Sequence, residues 1–168
     1  VIDGGNAIEV AIDKHAHWGS VVKAYDPVMK KSDNCVEQAK SVGTNTLDVR
    51  YLIQSHLHLD HSGGVGRFPN AIHIVQRLEY DYAFNPDWFA APAYIRKDFD
   101  KPNIYWKYLN DKKTDFFDLY GDGVIKIIFS PGHSPGHQSI LVNLPKSGYI
   151  LLTIDAAYTC LLYTSDAA

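Results

Sequence analysis

Apolar and polar positions alternate in short blocks along the chain, and the blocks predict strands and helices joined by tight turns. Residues 1–3 are a brief apolar run stopped by Gly4-Gly5, as at a strand end entering a loop. Ser32 or Asp33 is placed to cap a helix running to about Val42, with Gly43 as its stop. Tyr51-Leu52-Ile53 is a compact apolar strand, and Ile72-His73-Ile74-Val75 alternates like another. From Arg77 to Leu109 the sequence is aromatic-rich and reads as helical segments broken at Pro86, Pro92 and Pro102. Residues 115–120 and 124–129 flank Gly121-Asp122-Gly123, a hairpin signal. A second hairpin pairs residues 139–144 with 149–154, and Asp155 directly ends its second strand. There is no repeat, linker or low-complexity segment, so the pattern predicts one α/β or α+β domain with a single core.

Composition narrows the class. The chain has 168 residues, 46% hydrophobic and 21% charged, which is enough for one packed domain. A net charge of −3 provides no footprint for nucleic acid or an anionic membrane surface. No apolar run is long enough to span a bilayer. Two cysteines, Cys35 and Cys160, cannot form a disulfide framework, which points to a reducing, cytoplasmic setting.

Histidine changes the picture. Of eight, five fall in two clusters, and the first is His56-Leu57-His58-Leu59-Asp60-His61. Alternate residues of an extended segment point the same way, so His56 and His58 can reach one ion together. Asp60 and His61 follow where the chain turns and can reach a second ion. Neutral imidazole with carboxylate is a borderline donor set suited to zinc, iron, manganese or cobalt. The second cluster, Ser130-Pro131-Gly132-His133-Ser134-Pro135-Gly136-His137, sets His133 between two Pro-Gly pairs, where it can supply a third histidine to the first ion. His137 reads either as an ordinary strand residue or as a group hydrogen-bonded behind the ligands. Asp155, in Leu-Leu-Thr-Ile-Asp, is a carboxylate in an apolar setting and needs a partner. Two cations provide one, with the carboxylate bridging ions roughly 3.5–4 Å apart. Asp3 reads either as a turn residue or as a brace that steadies the ligand loop through backbone hydrogen bonds.

Taken together these residues resemble the metallo-β-lactamase superfamily and, within it, the N-acyl homoserine lactonases. The segments that carry the likeness are Ala16-His17-Trp18-Gly19, residues 54–64, Ile74-Val75-Gln76-Arg77, residues 130–139, and Leu152-Thr153-Ile154-Asp155-Ala156-Ala157-Tyr158. The resemblance implies an αββα sandwich, incomplete at both ends, over residues 1–159. It implies two divalent metals, zinc foremost with iron, cobalt or manganese as alternatives: His56, His58 and His133 on one, Asp60 and His61 on the other, Asp155 between them. It further implies opening of a small-molecule lactone by a hydroxide held between the metals, as in quorum quenching. Asp60 would pass a proton to the leaving alkoxide, and Tyr158 would hydrogen-bond the carbonyl oxygen. Phe84, Trp88, Phe89 and Tyr94 would form apolar pocket wall. Related hydrolases, such as glyoxalase II-like thioesterases, and mono-iron sulfur dioxygenases share the metal loop and stand as rival readings. Flavodiiron proteins carry Glu where this chain has His58, which counts against them.

The sequence departs from the family at its ends. Strands expected before Val1 are absent, and no histidine follows His137 to serve as the last ligand. Residues 160–168, beginning at Cys160, resemble translated sequencing-adapter read-through and are expected to be a non-native tail. A chain of this kind is expected to hold fewer than two metal equivalents and to show no lactonase activity of its own.

Overall fold

The architecture comes from a computed structural model that describes residues 1–110 and 116–157. The expected tail from Cys160, and Tyr158, lie outside the described residues.

Two sheets form the centre. Strands β1 (Tyr51–Ile53), β2 (Ile72–Gln76) and β3 (Tyr105–Leu109) make a parallel sheet in that order. Strands β4 (Phe116–Asp118), β5 (Ile125–Phe129), β6 (Gln138–Leu144) and β7 (Gly148–Leu152) make an antiparallel meander. Side-chain alternation decides what each face meets. Ile53, Ile74 and Leu109 point to one side and close a buried core with Ile127 and Ile140 of the antiparallel sheet. Their neighbours Leu52 and Val75 point to the other side, into a second core with Leu57, Phe68, Ala83 and Phe99.

The helices α2 (Cys35–Ser41), α3 (Arg77–Phe84) and the single-turn α4 (Arg96–Phe99) cover that second face. Helix α1 (Ile8–Trp18) packs in a smaller cluster of its own, where Val10 and Trp18 meet Val22 and Leu59. The order helix, sheet, sheet supplies three of the four expected layers. Tyr149 and Leu151, on β7, remain half exposed or more.

Several elements differ from expectation. The α2 cap is Asn34, whose side chain accepts from the Val36 and Glu37 amides, rather than Ser32 or Asp33, which belong to a preceding 3₁₀ turn. Helix α1 carries no clean apolar stripe and is broken at Asp13 (φ −157°, ψ 92°), which hides it from a periodicity search. Strand β3 lies inside the aromatic stretch read as broken helix. Its Trp106 and Tyr108 face the helices while Lys107 and Leu109 face the antiparallel sheet, a period of two masked by large residues on both sides. Asp155 does not end a strand: β7 stops at Leu152, and Asp155 sits in the 3₁₀ turn Ile154–Ala156.

Candidate metal centre

The site lies at one end of the two sheets, where the chain leaves β1, crosses from β5 to β6, and turns beyond β7. The Gln138 amide donates to the Ser55 carbonyl (2.9 Å), which stitches the start of β6 to the segment bearing His56. Below it, Gln138 Nε2 donates to the Gln54 carbonyl at 2.7 Å and Oε1 accepts from Gln76. The His133 loop is closed by His137, which is buried and bonds through Nδ1 to the Ser130 side chain at 2.9 Å.

Asp3 braces the first cluster. Its Oδ1 accepts the Ser55 amide at 2.7 Å, and its Oδ2 accepts the Ser55 hydroxyl at 2.7 Å and His61 Nδ1 at 2.9 Å. With the Ser55 proton given to Asp3, the hydroxyl accepts from His56 Nδ1 at 2.9 Å. Both histidines therefore carry their protons on Nδ1 and present the Nε2 lone pair inward. The backbone of residues 3–5 lies directly on the ligand loop. A Cβ on Gly4 would come within 2.0 Å of the Gly64 nitrogen, so the contact requires glycine.

The inward atoms converge. His133 Nε2 is 2.9 Å from His58 Nδ1, and Asp155 Oδ2 lies 3.2 Å from His133, 3.4 Å from His61 and 3.7 Å from His56. Two ligand-type triads result, His56–His58–His133 and His56–His61–Asp155, with all donor atoms of each within 4.8 Å of one another. Asp60 stands at the rim, 3.7 Å from His61 Nε2, with its side chain 59% exposed. Tyr158 lies outside the described residues.

Electrostatics favour neutral imidazole at His56 and His58. Burial, followed by the charges of His61, His58 and His133, pushes the His56 pKa far below the usual histidine range. Burial and then His133 push His58 down to about 3. For His61 burial opposes protonation, but the Asp3 hydrogen bond and the Asp3, Asp60 and Asp155 charges outweigh it, so its pKa is raised. His56 Nε2 is buried and has no hydrogen-bond partner, a costly state for a polar atom. A divalent cation fits the donor set, because it takes neutral nitrogen lone pairs and carboxylate oxygen at one point.

Two hollows that share His58, Ala93 and His133 in their walls open on the site. One, about 230 Å³, is lined by Asp60, Asp155, His58, His133 and Tyr25. The other, about 580 Å³, runs from His58 and His133 along Phe89, Ala90, Ala93, Tyr94 and Pro135. Phe89 and Tyr94 thus stand where pocket wall was expected. Phe84 does not: it packs on Phe99 and Tyr80 in the helix-side core. Trp88 is exposed and only edges against Phe89.

Sequence reasoning passed over Glu79, fully buried on α3 and bonded to both ligand loops. The available signal was an acidic residue sharing a helix face with the buried Ala83, one turn away.

A family model described as the metallo-beta-lactamase superfamily matches residues 25–167. This chain belongs to that superfamily. It is 62% identical over 159 residues to the N-acyl homoserine lactonase AttM of Azorhizobium caulinodans, covering 95% of this chain and 60% of the relative. It is 41% identical over 133 residues to the N-acyl homoserine lactonase of Bacillus cereus, covering 79% and 48%. Among solved structures it superimposes on an N-acyl homoserine lactone hydrolase with N-hexanoyl-L-homoserine, the product, at its catalytic metal centre. That match has a TM-score of 0.79 and 32% identity, and covers 97% of this chain and 61% of the other. The chain thus spans about three fifths of the length of these relatives at most. Among the described residues no helix is long and apolar enough to cross a membrane.

Proposed function

We propose that this chain carries the metal-binding core of an N-acyl homoserine lactonase. The gathering of His56, His58 and His133 in one triad and of His56, His61 and Asp155 in another carries the reading, supported by the 62% identity to a lactonase and the likeness to a hydrolase holding N-hexanoyl-L-homoserine at its metal centre. His56, His58 and His133 would hold one divalent ion, zinc by donor type, and Asp60 and His61 a second, with Asp155 shared. Such ions lower the pKa of water towards about 7 and polarise a carbonyl oxygen.

The chain's own residues do the rest. Asp3 and Ser55 hold His56 and His61 in the tautomer that points lone pairs inward. Asp60, on the exposed rim, would take the proton given up by the attacking water and pass it to the departing alkoxide of the opened ring. Tyr158 would supply a hydrogen bond to the carbonyl oxygen as charge builds there. The hollow walled by Phe89, Ala93, Tyr94 and Pro135 offers an apolar channel beside the metal-facing histidines, suited to an acyl chain.

The test is hydrolysis of N-hexanoyl-L-homoserine lactone by the protein carried out to the length of its relatives. Asp60→Asn removes a ligand and the proton donor together and should reduce turnover well beyond Tyr158→Phe, itself expected to cost about 100- to 1,000-fold. Turnover close to wild type in Asp60→Asn, or preference for a thioester over the lactone, would overturn the reading.

A further inference from the structure

We propose that Glu79 is a positioning residue for the metal centre, tying the loop of His56 and His58 to the loop of His133 through one buried carboxylate. The inference rests on the metal reading above. Glu79 lies in the first turn of α3, directly behind β2, and is fully buried. Its Oε1 accepts the Leu57 amide at 3.0 Å and the Tyr94 hydroxyl at 3.1 Å. Its Oε2 accepts the Ser134 hydroxyl at 2.6 Å and the Gly136 amide at 3.1 Å.

These donors are placed with respect to the ligands. Leu57 separates His56 from His58, and Ser134 directly follows His133. Tyr94 stacks edge-on against the His58 ring, with centroids 4.7 Å apart. One carboxylate thus fixes both sides of the 2.9 Å gap between His58 Nδ1 and His133 Nε2. The loop also rests on the helix backbone: a Cβ at Gly136 would stand 2.2 Å from the Glu79 nitrogen. Backbone amides can only donate, so both Glu79 oxygens must accept, and hydrogen bonds to an ionised acceptor are the stronger kind.

Glutamine has the same shape but only one acceptor oxygen. Its NH₂ must face either the Leu57 or the Gly136 amide, donor against donor, and one ligand loop is released. Residues that orient metal ligands typically contribute 10–100-fold to metal affinity.

The experiment compares the wild-type chain with Glu79→Gln, Glu79→Asp and the exposed control Glu37→Gln. Zinc affinity is read by chelator competition and ligand geometry by the visible absorption of bound Co²⁺. Glu79→Gln should bind zinc about 10- to 100-fold more weakly, with a displaced Co²⁺ band. Glu79→Asp, which keeps two acceptor oxygens, should recover part of the affinity, and Glu37→Gln should match wild type. Where Glu79→Gln fails to fold, Ser134→Ala removes a single donor beside His133 and should still displace the band. Wild-type affinity and an unmoved band in these variants would overturn the inference and leave the metal reading intact. A wild-type chain without metal affinity would overturn both.

Discussion

Asp3 and Glu79 show how single carboxylates outside the candidate ligand set hold the loops that carry it. Asp3 was legible as a brace or a turn residue; its φ is 49°, a left-handed conformation that Asp tolerates, and its oxygens accept from Ser55 and His61. Asp3→Ala should weaken zinc binding by about 10- to 100-fold in a chelator competition, since His56 and His61 lose the bonds that set their tautomers. Glu79 was not legible, because its four partners lie 15 to 57 residues away, and no local pattern marks them. Gly136 was read only as half of a Pro-Gly pair flanking His133, although its backbone makes a close approach to α3. Gly136→Ala should lower stability by about 1–3 kcal/mol in a urea titration, as overpacking at an unyielding backbone contact does.

At the scale of elements, what the sequence carries within a few residues was readable: β1, β2, both hairpins and the His56–His61 cluster. Elements defined by distant partners were not. Strand β3 exists because β2 offers it a parallel edge, and Phe84 is core because Phe99 and Tyr80 surround it. The loop after the metal cluster is held to β2 by His73, whose Nε2 accepts the Gly66 amide at 3.0 Å while Nδ1 bonds the Ala71 carbonyl at 3.1 Å. That pairing needs neutral imidazole, and burial holds the His73 pKa below its ordinary 6.5. The unfolded chain therefore binds the proton more readily, so this stability is full above pH 6.5 and is lost as pH falls below it. His56, His58 and His137 shift the same way in the metal-free chain, whereas the raised His61 acts in the opposite sense. In chelator, the urea midpoint should fall from about pH 7.5 to about pH 5.5, and His73→Gln should flatten part of that slope. A midpoint that rises on acidification would contradict the assignment of neutral buried histidines.

For the molecule as a whole, the two sheets form the frame and the ligand loops share one end of it. Because burial keeps His56 and His58 neutral and leaves His56 Nε2 without a hydrogen-bond partner, zinc should stabilise the folded chain by mass action, about 2.7 kcal/mol at a hundredfold excess over Kd. A thermal melt unmoved by zinc would show that the loops are not a site. The most direct test of the centre is zinc-edge X-ray absorption on the zinc-loaded chain. The geometry predicts nitrogen and oxygen neighbours at about 2.0–2.1 Å with imidazole scattering, reduced in His133→Ala. A sulfur shell at about 2.3 Å from Cys35, or a spectrum indifferent to His133→Ala, would contradict it.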